Sequence, residues 1–184
     1  MLDLAGKPLI AWSIEAGLKS SYIDNVLVTS DDNEILGVAE AYQANIIKRP
    51  DELATDTATS FDALKHVIEN SANYDYIVLL QPTSPLRTSK NIDEAIELLS
   101  AKNADSIVSV CEMCHSPLWS NILAENLSMD NFLKADVLNK RSQDLETYYR
   151  VNGAIYICKA DKLLENKGFF LKSNIFAYKM NREP

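Results

Sequence analysis

Apolar positions recur along the chain in two alternating rhythms, spacings of three and four and short continuous runs, which predicts helices on both faces of a mainly parallel sheet. Behind Pro8, which suits an opening turn, Leu9, Ile10, Ile14 and Leu18 fall on one helical face. NVLVTS (25–30) reads as a strand, Ile35, Val38, Ala39 and Tyr42 as the apolar stripe of a second helix, and ANII (44–47) as the strand before Pro50. In DTATSFDALKHVIEN (56–70), Phe61, Leu64 and Ile68 form a third stripe behind a Thr- and Asp-rich start that supplies caps. YIVLL (76–80) is continuous enough for a central strand covered on both faces. The next helix carries Ile92, Ala95, Ile96 and Leu99, with Asn91 and Glu94 spaced as a capping pair. SIVSV (106–110), GAIYI (153–157) and IFAYKM (175–180) complete the strands, and the short helix ADKLLEN separates the last two.

Between 114 and 149 the rhythm fails, and polar residues mix with isolated aromatics. A stretch that long without period inside a compact domain marks a functional element or a surface that packs on a partner. A subunit interface is expected there, inserted in a single domain of 184 residues. Composition narrows the field further. The 47% hydrophobic and 24% charged residues are ordinary globular values, while the net charge of −8 would repel a phosphate backbone and argues against nucleic acid as a partner. No apolar run approaches the ~18 residues of a membrane span, and MLDLAGKPLIAW lacks the order of a signal peptide, so a cytoplasmic protein is expected. Three cysteines suit free thiols in a reducing compartment. The five glycines form no GxGxxG or GxxxxGK[ST] loop, which counts against a Rossmann dehydrogenase or a P-loop NTPase.

Ligands of open α/β sheets bind outside the carboxyl ends of the strands, so the residues following each strand are the candidates for chemistry. Asp31 and Asp32 follow the first run, Lys48 and Arg49 the second, QPTSPLRT the third and CEMCH the fourth. Arg49, with Ser60 at the next helix start, reads either as a guanidinium facing a base carbonyl or phosphate, or as a surface arginine beside an ordinary cap. The Gln81 amide can both donate to and accept from a sugar hydroxyl or base edge, with Pro82 and Pro85 fixing the chain as it leaves the sheet. Its alternative is a proline-rich turn with Arg87 on the surface. Cys111, Cys114 and His115 match the C-x-x-C-H haem pattern, but the amino terminus does not support the export such attachment needs. A zinc site would find only Cys158 and His66 as further soft ligands, so incidental thiols are the preferred reading. Arg141 and Arg150 bracket the aperiodic segment and either fork a carboxylate or pair with Asp144, Glu146 or a partner chain. Phe169 and Phe170 line a pocket or join the core.

RPDELATDTATS, LLQPTSPLRT and YYRVNGAIYI, with the spacing between them, resemble the cytidylyltransferases that make CMP-sialic acid, the acylneuraminate cytidylyltransferases, over nearly the whole chain. The resemblance implies an α/β nucleotide-diphospho-sugar transferase fold, a homodimer, and Mg²⁺-dependent transfer of CMP from CTP to the anomeric hydroxyl of a nonulosonic acid with release of pyrophosphate. Carried over by motif, Arg49, Ala58 and Ser60 hold the cytosine and ribose, and Gln81 meets the acid sugar near the reacting centre. Arg141, Arg150, Tyr156, Phe169 and Phe170 shape the sugar pocket, and 114–149 is the dimerisation element. Family members also carry a basic triphosphate loop of the type ARxxSKxxxxKN and a metal-binding D-x-D pair. This sequence starts where that loop would end and stops at NREP, so no catalytic or metal-ligating residue is assigned in it. A truncated chain that does not turn over CTP is expected, with an unpaired apolar strand edge where a first strand would lie. Trp119 stands where some members have a lysine for the acid sugar. The alternatives are a relic that binds nucleotide or only dimerises, and a legionaminate or pseudaminate enzyme; YYRVNGAIYI and the Phe pair favour N-acetylneuraminate.

Overall fold

The computed structural model describes residues 2–55 and 57–181. Two short strands, β1 (Asp3–Leu4) and β2 (Lys7–Pro8), pair antiparallel and lead into helix α1 (Leu9–Leu18). The Trp12 indole donates to the Leu4 carbonyl at 3.1 Å and ties this hairpin to the helix. Strand β3 (Leu27–Ser30), helix α2 (Asn33–Ala41) and strand β4 (Asn45–Lys48) form a right-sized βαβ unit with parallel strands. Asp32 starts α2 by accepting from the Glu34 amide at 2.7 Å, satisfying a donor the first turn leaves free. Ile14, Val28, Ala39 and Ala44 close the core of this unit.

Helix α3 (Ser60–Glu69) opens on a capping box between Thr59 and Asp62; Asp56, in the stretch expected to cap it, lies outside the described residues. Strand β5 (Tyr76–Leu79), helix α4 (Ser89–Lys102), strand β6 (Ser106–Glu112), strand β7 (Tyr149–Lys159), helix α5 (Ala160–Asn166) and strand β8 (Ile175–Lys179) follow. The cap of α4 is Thr88 with Asn91, three positions ahead of the expected pair: Thr88, with extended backbone just outside the helix, accepts from the Asn91 amide, and Asn91 accepts back from the Thr88 amide. Leu18, expected inward, ends its helix 44% exposed.

Four strands form a sheet in the order β5, β7, β6, β8, with helices on both faces. The expectation of a mainly parallel sheet is narrowed to a mixed one: β6 and β8 run parallel, while β7 is antiparallel to both neighbours. The reason is the segment 114–149. It leaves the carboxyl end of β6 and re-enters beside it, with Glu112 opposite Tyr149 and the Met113 amide donating to the Tyr148 carbonyl at 2.9 Å. A strand returning to the end from which the chain departed has to run backwards. On one face Ile92, Ala95 and Leu99 of α4 meet Ile107, Ile155 and Ile157; on the other Val108, Cys158 and Phe169 meet Leu163, with Leu64 and Ile68 of α3 alongside.

The expected central strand YIVLL is instead an edge of this sheet, half-buried, hydrogen-bonded among the described residues to β7 alone. Likewise β3 pairs, among the described residues, only with β4. Helix α1 lies against both units: a Cβ on Gly17 would stand 2.9 Å from Val26 and 3.6 Å from Leu80, so only glycine allows that approach. The segment 114–149 holds two short 3-10 turns, Pro117–Trp119 and Ser142–Asp144, and no longer element. Val137 is anchored in the protein at 1% exposure, while Ile122 (92%), Leu127 (70%), Leu138 (60%) and Met129 (59%) point to solvent.

Candidate functional site

The carboxyl end of β5 carries Gln81, and the chain then leaves the sheet through 81–87. Across from it β7 bulges. Pairing between β6 and β7 advances from Val110 to Val108 on one strand but from Val151 to Tyr156 on the other, so the extra residues around Gly153 are pushed out of the ladder. The bulge is held by side chains. Ser109 donates to Asn152 Oδ1 at 2.6 Å and accepts from the Ile155 amide at 2.8 Å, while the Ala154 amide donates to the same Asn152 oxygen at 3.1 Å. Gly153 has φ +74°, and a Cβ there would lie 3.0 Å from the Gln81 Oε1. Glycine is required twice at this position, for its backbone and for the room it leaves the amide.

Arg87 locks the two sides together. It is 4% exposed, donates to the Ala154 carbonyl at 2.7 Å and the Gln81 carbonyl at 3.3 Å, and donates to Ser13 Oγ of α1 at 2.6 Å. No described carboxylate lies within 4.0 Å of it, and its Nε is buried without a partner. Burial alone pushes its pKa down to about 10, so the group stays cationic at neutral pH. The reading of Arg87 as a surface residue is therefore corrected: three acceptors on three elements draw the guanidinium inward. The Gln81 amide itself makes no hydrogen bond to any described residue and is only half-buried, so both its donors and its acceptor are free.

Beside this staple opens a cleft of about 400 Å³ between the 83–87 turn, α4 and the carboxyl ends of β6 and β8. Arg87, Arg150 and Lys179 supply positive charge to its wall, and Glu94 is its one carboxylate among the described residues. Glu94 accepts from the Tyr178 hydroxyl; burial first, then that carboxylate, pushes the Tyr178 pKa up to about 12. Lys179 donates to the Tyr149 hydroxyl at 3.1 Å. A second hollow of about 370 Å³, lined by Tyr74, Tyr76, Lys159 and Asp161 among others, lies at the opposite ends of β5 and β7, away from these groups.

The remaining candidates fall into separate places. Arg49 donates to Asp31 at 2.7 Å, and this bond holds the Asp31 carboxyl below the usual carboxylate range; the Arg49 Nε is buried and unpartnered. Ala58 sits in the turn before α3, its amide on the Thr55 carbonyl at 3.0 Å, and Ser60 is the exposed first residue of that helix. Tyr156 packs on Phe169 at 5.4 Å and Phe170 at 6.4 Å between ring centres, on the α3 side of the sheet; Phe169 is buried and Phe170 is 64% exposed. Arg150 is exposed at the cleft on the α4 side. Arg141 is exposed in the 114–149 segment, forked onto Asp144 at 2.8 and 3.1 Å. Among the described residues, no three His, Cys, Asp or Glu come together, so CEMCH gathers no metal set around Cys111 and Cys114. Ser109, Asn152 and Gly153 escaped sequence reasoning, although a glycine inside a strand-like run is the signal of a bulge.

A family model described as cytidylyltransferase matches residues 1–181. An N-acylneuraminate cytidylyltransferase of Escherichia coli O18:K1:H7 is 36% identical over 99% of this chain and 43% of its own length. A CMP-N,N'-diacetyllegionaminic acid synthase of Legionella pneumophila is 37% identical over 91% of this chain and 73% of its own. Among solved structures, a CMP:2-keto-3-deoxy-manno-octonic acid synthetase complexed with CTP superposes with a TM-score of 0.71 at 17% identity, over 98% of this chain and 82% of that one. That likeness concerns the fold. The chain thus spans less than half the length of the first curated relatives it matches.

Proposed function

Because the chain belongs to the cytidylyltransferase family, we propose that it transfers CMP from CTP to the anomeric hydroxyl of a nonulosonic, sialic-type acid and releases pyrophosphate. The observation that carries this reading is the Gln81 amide. It is unpartnered, stands at a strand's carboxyl end, and is backed by a glycine and a buried arginine. An amide so placed can hold the hydroxyls of an acid sugar. Arg49, Ala58 and Ser60 would receive the cytosine and ribose, and Tyr156 with the exposed Phe170 would face the sugar's apolar substituents. Attack on the α-phosphate builds charge on phosphoryl oxygens, which Arg150 and Lys179 at the cleft are suited to offset. Arg141, tied to Asp144 in this chain, would reach a sugar carboxylate only as part of a neighbouring subunit's site.

Mg²⁺ is the metal such chemistry would use, but these residues do not fit it: no described carboxylate cluster exists, and Glu94 is taken by Tyr178. The exposed apolar side chains of 114–149 support a homodimer built on that segment. No described helix is long and apolar enough to cross a membrane; a cytoplasmic location is proposed on the free thiols of Cys111, Cys114 and Cys158, which suit a reducing compartment.

The lack of a fitting carboxylate set among the described residues fits nucleotide binding without turnover, and the 37% identity to a legionaminic acid synthase, equal to that of an N-acylneuraminate cytidylyltransferase of Streptococcus agalactiae, makes legionaminate the second substrate to test. Pyrophosphate release measured with CTP, Mg²⁺ and either N-acetylneuraminate or N,N'-diacetyllegionaminate separates them. Release that needs the sugar and falls about 100-fold in Gln81→Ala supports transfer. CTP binding without release supports the binding reading, and no CTP binding at all defeats both.

A further inference from the structure

We infer that Arg87 is a positioning residue: its guanidinium fixes the direction in which Gln81 presents its amide, by clamping the end of β5 to the bulge of β7 and to α1. The inference rests on Gln81 facing the ligand, as proposed above, but its geometry stands without it.

A buried charge with no counter-ion is costly, and proteins generally pair or neutralise one. Here the described surroundings contain neither a carboxylate within 4.0 Å nor a second use for the group. What the guanidinium has instead is a set of neutral oxygens on three segments: the Gln81 carbonyl just past β5, the Ala154 carbonyl of β7 and the Ser13 hydroxyl of α1. Ser13 reinforces the arrangement by donating to the Gln81 carbonyl at 3.5 Å. Two of the three contacts bracket the contact that matters, since Ala154 follows Gly153, and Gly153 is the surface against which the Gln81 amide oxygen rests. The planar fork satisfies divergent acceptors at fixed angles, which a lysine ammonium does not reproduce. No described residue hydrogen-bonds the Gln81 side chain, so the backbone on either side of it has to be rigid if its direction is to be set.

The clamp predicts a specific coupling. In ¹⁵N-labelled full chain, the side-chain amide of Gln81, assigned by its loss in Gln81→Ala, gives a single sharp pair of signals. Arg87→Met, similar in length but without donors, splits or broadens that pair, and Arg87→Lys does so to a smaller degree. Ser13→Ala removes one acceptor without opening a cavity and moves the signals in the same direction, which keeps the test open if Arg87→Met does not fold. In the transfer assay, Arg87→Lys lowers kcat with the acid sugar by about 10- to 100-fold, the loss expected of a displacement near 1 Å, and leaves KM for CTP within about twofold. A merely structural arginine would lower the melting temperature and leave both the Gln81 signals and the kcat of the folded fraction unchanged, and that result overturns the inference. If wild-type chain shows no transfer, the proposed function fails on that arm, and the Gln81 signals alone decide the role of Arg87.

Discussion

Residues 81–87 and residues 114–149 are both irregular, yet they are built on opposite plans. The first is short and closed: its Gln81 carbonyl accepts from the Arg87 guanidinium, the Ser13 hydroxyl and the Ser84 amide, and Arg87 itself is 4% exposed. The second is long and open, with Ile122, Leu127, Met129 and Leu138 turned to solvent and Val137 as its buried anchor. A loop that has to hold one side chain still spends polar groups on itself. A loop that has to meet another surface leaves its apolar groups unspent, because burial against a partner stabilises by roughly 25 cal/mol per Å² only when those groups are still wet beforehand.

The closed region is most vulnerable at Gly153. Replacing it with alanine puts a side chain at φ +74° and a methyl 3.0 Å from the Gln81 amide. We expect a loss of about 1–2 kcal/mol in urea unfolding from the backbone alone. The Gln81 amide is displaced as well, so any sugar-dependent activity falls further than stability does. If Gly153→Ala unfolds like the wild type and Gln81 is undisturbed, the closed plan of 81–87 is wrong.

The open plan predicts the reverse pattern. Ile122→Ser combined with Leu127→Ser removes wet apolar surface from the free subunit, so unfolding of the monomer should shift by no more than about 0.5 kcal/mol. Sedimentation should show self-association weakened at the same time. Equal self-association in both proteins would mean that these side chains meet no second copy.

The difference between the regions also explains what could be read from sequence. Helices and strands with period, such as α1 and α4, declare themselves through residues such as Ile14, Ile92 and Leu99, whose spacing alone fixes a face. The direction of β7 does not. GAIYI has the same composition whichever way it runs, and its antiparallel pairing follows from where the 114–149 segment re-enters, a long-range fact. YIVLL looked central because its apolar run is continuous, while its position at a sheet edge depends on which strand pairs with it. In the site, Gln81 was visible because it ends a strand next to prolines. Arg87 was not, since arginine is ordinarily a surface residue and its three acceptors lie 6, 67 and 74 positions away in the chain.

A last contrast is electrostatic, and it yields the smallest effect. The staple contains no carboxylate, and Arg87, with a pKa pushed down only to about 10, is protonated in folded and unfolded chain alike at neutral and acid pH. It therefore contributes no slope of stability with pH below that range. The ion pairs elsewhere do. Hydrogen bonds from Arg49 to Asp31 and from Lys159 to Asp105 hold both carboxyls below their usual range. A depressed carboxyl pKa stabilises above the unfolded value, near 4, and that stabilisation is lost as pH falls through the folded value. Urea unfolding followed between pH 7 and pH 3 should thus be flat down to about pH 5 and fall below it, by the same amount in wild type and in Arg87→Lys. A steeper fall in the variant would mean that Arg87 acts through a carboxylate after all, and the closed region would then be held by charge as well as by its carbonyls.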